Sequence, residues 1–308
     1  VERWTVLGQS FGGFTSLTYL SIAPEGLEAA LITGGLAPVT NRPVDDVYGA
    51  TWARLREANH RYFERYPDDR ARVREAHRRI EDEDVRLPSG DRLSVRRFRQ
   101  LGMWLGDSAG FEHLHHVLEL PFGSPAFLHD VENAVRWTRN PLYATLHESS
   151  YADGGATRWS SHRLTPDWFA GSEVFTAEHV FPWMWEEYGG LRAHRDAAEL
   201  LAEHPWPRLY DEAQLARNEV PVSATIYVDD LYVETEEVDD LMRAVEGELI
   251  SARYGEAVRL EIAHDCPAEH MDYLLEMFEL DRGDLYPVDG PVNLNRLMAV
   301  YQLTSRDD

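Results

Sequence analysis

The chain has 308 residues, 30 basic side chains and 54 acidic ones, and a formal net charge of −24 at pH 7. A surface this negative repels phosphate backbones, which argues against a nucleic-acid partner. No apolar run approaches the roughly 20 residues that cross a bilayer, which argues against a membrane partner, and the single cysteine, Cys266, suits a reducing, cytoplasmic setting.

Trp4 to Leu7 is an apolar, partly β-branched run that predicts a strand. Gly8-Gln9-Ser10-Phe11-Gly12-Gly13 follows at once, and Phe14, Leu17 and Leu20 then recur at helical spacing. Leu27 to Thr33 is a second apolar run, ended by Gly34-Gly35. Strand, glycine turn, helix and strand make a βαβ unit and predict a parallel sheet. From Asn41 to Pro207 the text turns helical. Pro43 to Glu83 places Trp52, Leu55, Tyr62, Phe63 and Tyr66 on one face and charges on the other. Leu87 to Leu93 reads as a turn, and Val95–Leu105, Phe111–Leu120 and Val131–Trp137 as further helices. The βα alternation returns with a strand over Val220–Val228, a helix over Val238–Ala252 and a strand over Val258–Ala263.

Gly8-Gln9-Ser10-Phe11-Gly12 fits G-x-S-x-G. A nucleophile on a sharp strand-to-helix turn needs neighbours without side chains for the turn to close. That turn puts Ser10 at a helix N-terminus, where the Phe11 backbone N–H can face a developing oxyanion. A serine nucleophile needs a base, and the base an orienting acid, in the chain order Ser, Asp or Glu, His. Asp229-Asp230 follows the strand Val220–Val228, and His264 follows Val258–Ala263. Both stand at C-terminal strand ends, where parallel sheets keep their ligands. One of the pair Asp229-Asp230 is the expected acid and His264 the expected base, with His270 the competitor. His113-x-His115-His116 lacks a cysteine or carboxylate at ligand spacing and reads as a solvated helix face. The acidic run from Asp229 to Asp240 lacks the spacing and glycine of a calcium loop. No metal is expected.

With these residues in view, the chain resembles the proline iminopeptidases, serine peptidases of the α/β-hydrolase fold. The likeness runs through Gly8–Phe14, Leu31–Leu36, Asp91–Phe98, Gly110–His115, Asn140–Glu148, Phe181–Met184, Asn218–Val222 and Asp229–Val233, covering roughly residues 1–233. It implies a sheet core from residues 1–40 and 208–308 with a helical cap inserted at 41–207. It also implies release of N-terminal proline from a peptide without a cofactor, and cap carboxylates that receive the substrate's imino group. Glu148 is the best positional match and Glu178 the second. The prolyl nitrogen is cationic at neutral pH, so an exopeptidase must offer it negative charge.

Two departures stand beside this likeness. The family carries several strands and a His-Gly-Gly-Pro-Gly type loop ahead of the elbow, so the sequence reads as truncated at Val1. The family also usually has Glu-His-Asp-Gly where this chain has Ala263-His264-Asp265-Cys266-Pro267, and the tail to Asp308 is unlike it. Two other readings remain open at this point: another α/β-hydrolase acting on esters or amides, and an incomplete hydrolase that serves as a binding protein.

Overall fold

The structure is a computed structural model that describes residues 3–37, 43–107, 109–170, 173–227, 230–233 and 258–263. Its sheet has four strands in the order β1 (Trp4–Gln9), β2 (Leu27–Thr33), β3 (Val222–Tyr227) and β4 (Val258–Ala263), all parallel. β2 is covered on both faces, and Leu27, Ala30 and Ile32 are fully buried. That is why its sequence is a nearly unbroken apolar run rather than an alternating one. β1 lies at the edge of the described sheet, and Trp4 is 55% exposed there. β3 is shorter than the predicted Val220–Val228 at its start. Pro221 has no N–H for the ladder, though its carbonyl still accepts from Ala30 N at 2.9 Å. Val228 and the predicted helix Val238–Ala252 lie outside the described residues.

Helix α1 (Phe11–Ile22) lays Phe14, Leu17 and Leu20 on the sheet. These residues join Leu27, Ile32, Leu36, Tyr210, Leu215, Val220, Val222 and Val233 in one hydrophobic core. Among the described residues, ten α-helices come between β2 and β3: α2 (Val44–Arg65), α3 (Asp69–Asp82), α4 (Val95–Arg99), α5 (Gly110–Glu119), α6 (Pro125–Ala134), α7 (Pro141–Leu146), α8 (Ser160–Arg163), α9 (Met184–Glu187), α10 (Arg195–Glu203) and α11 (Glu212–Ala216). Most of them share a second core built on Trp52, Tyr62, Phe98, Trp137, Phe175 and Trp185. Pro67 stands in the break between α2 and α3, where a continued helix would lose a hydrogen bond. The predicted turn at Leu87–Leu93 is a tight reversal, with Leu93 N donating to Val85 O and Gly90 N to Leu87 O.

The two cores meet at few residues. Tyr151 packs against both. The short stretch past β3 also reaches both: Leu231 is buried in the helical core and Val233 in the sheet core. No helix among the described residues is long and apolar enough to cross a membrane.

One expectation about the helical region needs correcting. His115 is not on a solvated face. It stacks on Tyr66 at 4.0 Å, and its Nδ1 lies 2.9 Å from Asp69 Oδ2, a fully buried carboxylate that also accepts from Tyr62. His113 and His116 are exposed as expected.

Candidate active site

Ser10 sits between β1 and α1 with φ 52° and ψ −123°, a conformation that side-chain-bearing residues rarely adopt. Two hydrogen bonds hold it there. Ser10 N donates to Thr33 O of β2 at 2.8 Å, and Ser10 O accepts from Gly13 N at 2.8 Å. The turn is packed backbone on backbone. A Cβ on Gly35 would lie 2.0 Å from Ser10 O, and one on Gly13 would lie 2.2 Å from Gly35 O. Ser10 is exposed at the C-terminal rim of the sheet. Phe11 opens α1, so its N–H is among those a helix leaves without an intrahelical acceptor.

Asp230 lies on the same rim, three residues past β3. Its Oδ1 accepts from Tyr232 N at 2.7 Å and Val233 N at 3.0 Å, which fixes the turn. Burial pushes its carboxyl above the usual aspartate range, against the pull of those two N–H groups and of Arg54. Asp229 lies outside the described residues, and so do the side chains of His264 and His270. The structure does place the end of β4. Ala263 pairs with Tyr227, so β4 ends on the rim that carries Ser10 and Asp230.

From the helical layer, a row of aromatic groups faces this rim. Tyr143, His147 and Tyr151 recur every four residues through α7 and the turn that follows, so they share one face. Tyr143 stacks on Trp137 at 5.6 Å, His147 meets Tyr143 at 5.3 Å, and Tyr151 meets His147 at 5.7 Å. The Tyr151 ring reaches Phe14 of α1 at 5.9 Å and Tyr48 of α2 at 5.7 Å, while its hydroxyl donates to Tyr232 O at 2.6 Å. Tyr151 thus ties the helix behind Ser10, the helical layer and the Asp230 turn together.

The two expected carboxylates have different settings. Glu178 accepts from the Tyr143 hydroxyl, and its carbonyl accepts from His147 Nε2 at 2.9 Å. It is partly exposed, and its charge acts on Tyr48, Tyr151, Tyr232 and Asp230, all of which it raises. Glu148 comes one residue after His147, about 100° round the turn, and points away into the helical layer. It is 6% exposed, accepts from Ser161 N at 3.0 Å with Ser160 and Thr157 beside it, and so caps α8. Burial pushes its carboxyl up.

Sequence reasoning missed the residues that hold the loop under Glu178. Asn59 of α2 donates to Phe175 O at 3.0 Å and accepts from Phe175 N at 2.8 Å. Arg99 donates to Val174 O at 2.7 Å and Phe169 O at 2.8 Å, and Gln100 donates to His179 O at 3.2 Å. All lie far from the loop in sequence. The one available signal was polar residues on otherwise apolar helical faces. A surface hollow of about 670 Å³ lies elsewhere, among Ile80, Asp91, Arg96 and Glu187, and includes none of the site residues.

His179 stacks on Trp52 at 4.2 Å and meets Thr51 Oγ1 at 3.1 Å through Nε2. Burial pulls its pKa down to about 3, and burial also lowers His147. An unfolded histidine takes its proton near pH 6.5, so below that pH the unfolded chain binds more protons than the folded one. Stability is therefore expected to fall as pH drops below about 6.5, by up to roughly 1.4 kcal/mol per pH unit for each of these two histidines. Urea denaturation of the chain and of His179→Gln between pH 7 and 5 checks this. The variant should show the shallower pH dependence, and equal slopes would refute the buried, neutral imidazole.

A strained serine at the rim of a parallel sheet, with a carboxylate turn two strands away and an aromatic, carboxylate-bearing helical layer near it, defines the class: a parallel α/β protein with a strained serine turn between strand and helix. The chain is 43% identical over 242 residues to a proline iminopeptidase of Aeromonas sobria, covering 75% of this chain and 57% of that protein. It is 35% identical over 248 residues to a proline iminopeptidase of Aspergillus aculeatus, covering 75% of this chain and 55% of that one. Over this stretch the chain is similar to the proline iminopeptidases. It spans little more than half the length of those two relatives.

The remaining quarter resembles something else. Residues 228–300 match the polyphosphate kinase middle domain. Over 79 residues the chain is 54% identical to the polyphosphate kinase of Pseudomonas putida, covering 26% of this chain and 11% of that enzyme. β4, His264 and His270 all fall inside that match. The unfamiliar text after Ala263 thus lies within a stretch that resembles the kinase domain.

Proposed function

We propose that the peptidase-like stretch is the proline-recognising, nucleophile-bearing part of a serine exopeptidase of the α/β-hydrolase fold, one that releases N-terminal proline from peptides. Residues 1–40 and 208–308 form its core and residues 41–207 the cap, with β4 in the sheet although residues 228–300 resemble the kinase domain. The strained Ser10 turn beneath the row of Tyr143, His147 and Tyr151 is the observation that carries this reading.

In this scheme Ser10 Oγ attacks the prolyl carbonyl, and the oxyanion that forms faces the Phe11 N–H at the start of α1. Asp230 is the orienting acid. The base expected from chain order, His264, is the one member of the triad that the peptidase-like stretch does not contain. Glu178 receives the cationic imino group: Tyr143 fixes its Oε1, leaving Oε2 for the ligand, and the tyrosine rings supply apolar walls for a pyrrolidine ring. Glu148 holds α8 through Oε1, and its Oε2 is buried without a hydrogen-bond partner. A hydrolase of neutral esters would have no use for a carboxylate placed as Glu178 is. The lone Cys266 supports a reducing, cytoplasmic setting.

Calorimetric titration with L-prolinamide tests the assignment without requiring turnover. Glu178→Gln should weaken binding about 10- to 100-fold, as loss of a charged hydrogen bond does. Glu148→Gln should change it less than about threefold while lowering stability. Equal weakening by both variants would refute Glu178 as the imino receptor.

A further inference from the structure

The two family likenesses meet inside one sheet. β3 follows the peptidase-like Asn218–Val222, whereas β4 lies within the kinase-like residues 228–300. Even so, the strands pair in parallel over all six residues, from Val222 with Val258 to Tyr227 with Ala263. Asp230 to Val233 lies in the region shared by both likenesses, and it is packed into the peptidase-like part. Leu231 is 2% and Val233 4% exposed, Tyr151 donates to Tyr232 O, and Tyr232 donates to Met103 O.

A strand ladder is made by backbone groups, so an apolar, β-branched strand can dock on an open parallel edge whatever its origin. Register in the sheet is therefore weak support for a catalytic role. A general base needs more: a ring nitrogen within about 3 Å of the serine hydroxyl, in a tautomer fixed by the acid behind it. That placement depends on the residues flanking the histidine, and those around His264 belong to the kinase-like stretch.

We infer that this chain joins two families within residues 228–233, and that His264, next in sequence after β4, does not serve Ser10 as a base. The inference rests on the serine-peptidase reading above, because it concerns the third member of that site. It implies that the Ser10–Asp230 pair and the C-terminal stretch are chemically independent, and that a small base from solution can do what His264 does not.

Covalent labelling of the full chain by a fluorophosphonate tests this. The reaction forms the Ser10 Oγ–P bond, breaks P–F, releases fluoride and passes the serine proton to a base. Rates are compared for the wild type, His264→Ala, His264→Gln and Ser10→Ala, with and without added imidazole. Both His264 variants are expected to label within about twofold of the wild type, and imidazole to accelerate all three alike. A fall of about 100-fold or more in both His264 variants, with imidazole rescuing His264→Ala but not the wild type, would overturn the inference. Using two variants separates a lost base from a misfolded chain. If Ser10→Ala labels as fast as the wild type, the serine reading itself fails, and that outcome is distinct from the fate of His264.

Discussion

Ser10→Ala is expected to remove all covalent labelling by a fluorophosphonate, together with any hydrolysis of prolyl amides. In a complete triad, loss of the nucleophile costs about 10⁶ in kcat. Here the rate of Ser10→Ala should fall to the uncatalysed background. The physical reason is local. Ser10 is held at φ 52°, with its N–H fixed to Thr33 O and the N-terminus of α1 directly behind it. A positive φ in a residue that bears a side chain costs about 1–3 kcal/mol and persists only where its surroundings enforce it. Intact-mass analysis of wild type and variant after labelling decides the matter. An adduct of equal yield on Ser10→Ala would place the reactive group elsewhere.

Gly35→Ala is expected to damage the site without touching a reacting atom. Its Cβ would meet Ser10 O at 2.0 Å, and the neighbouring contact of Gly13 with Gly35 O, at 2.2 Å for a Cβ, leaves no slack on the other side. The clashing atoms are backbone, so relief requires β2 and α1 to move apart at the turn. We expect a loss of about 3 kcal/mol or more, seen as a shifted denaturation midpoint, with labelling of Ser10 lost in parallel. Gly12→Ala is the control. Nothing lies within 4 Å of its Cβ, and it sits within α1, where alanine is favoured over glycine by up to about 1 kcal/mol. Equal destabilisation by the two substitutions would contradict the close approach of Gly35 to the elbow.

The elbow was legible in the sequence because its determinants are local. A strand pattern, three glycines around a serine and a helical repeat are all within 20 residues, and the structure places Ser10 where that pattern does. The run Val258–Ala263 was legible for the same reason. Periodicity does not distinguish families: a βα alternation looks alike in a peptidase and in a kinase-like segment, and β4 pairs with β3 although it lies within the residues that resemble the kinase domain. Glu148 and Glu178 were separable in principle. Tyr143, His147 and Tyr151 define a face at four-residue spacing, and Glu148 is off it. The setting of Glu178 was not legible, because its loop is held by Asn59, Arg99 and Gln100 across long stretches of chain. His115 was misjudged because its partner Asp69 is 46 residues away, on another helix.

The central claim is a serine site selective for a free prolyl N-terminus. It is tested most directly by following release of β-naphthylamine from prolyl-β-naphthylamide and from its N-acetylated form, using the full chain in the presence of imidazole. The account predicts slow release from the free imino substrate alone, abolished by Ser10→Ala. Equal release from both substrates, or release that survives Ser10→Ala, would contradict it.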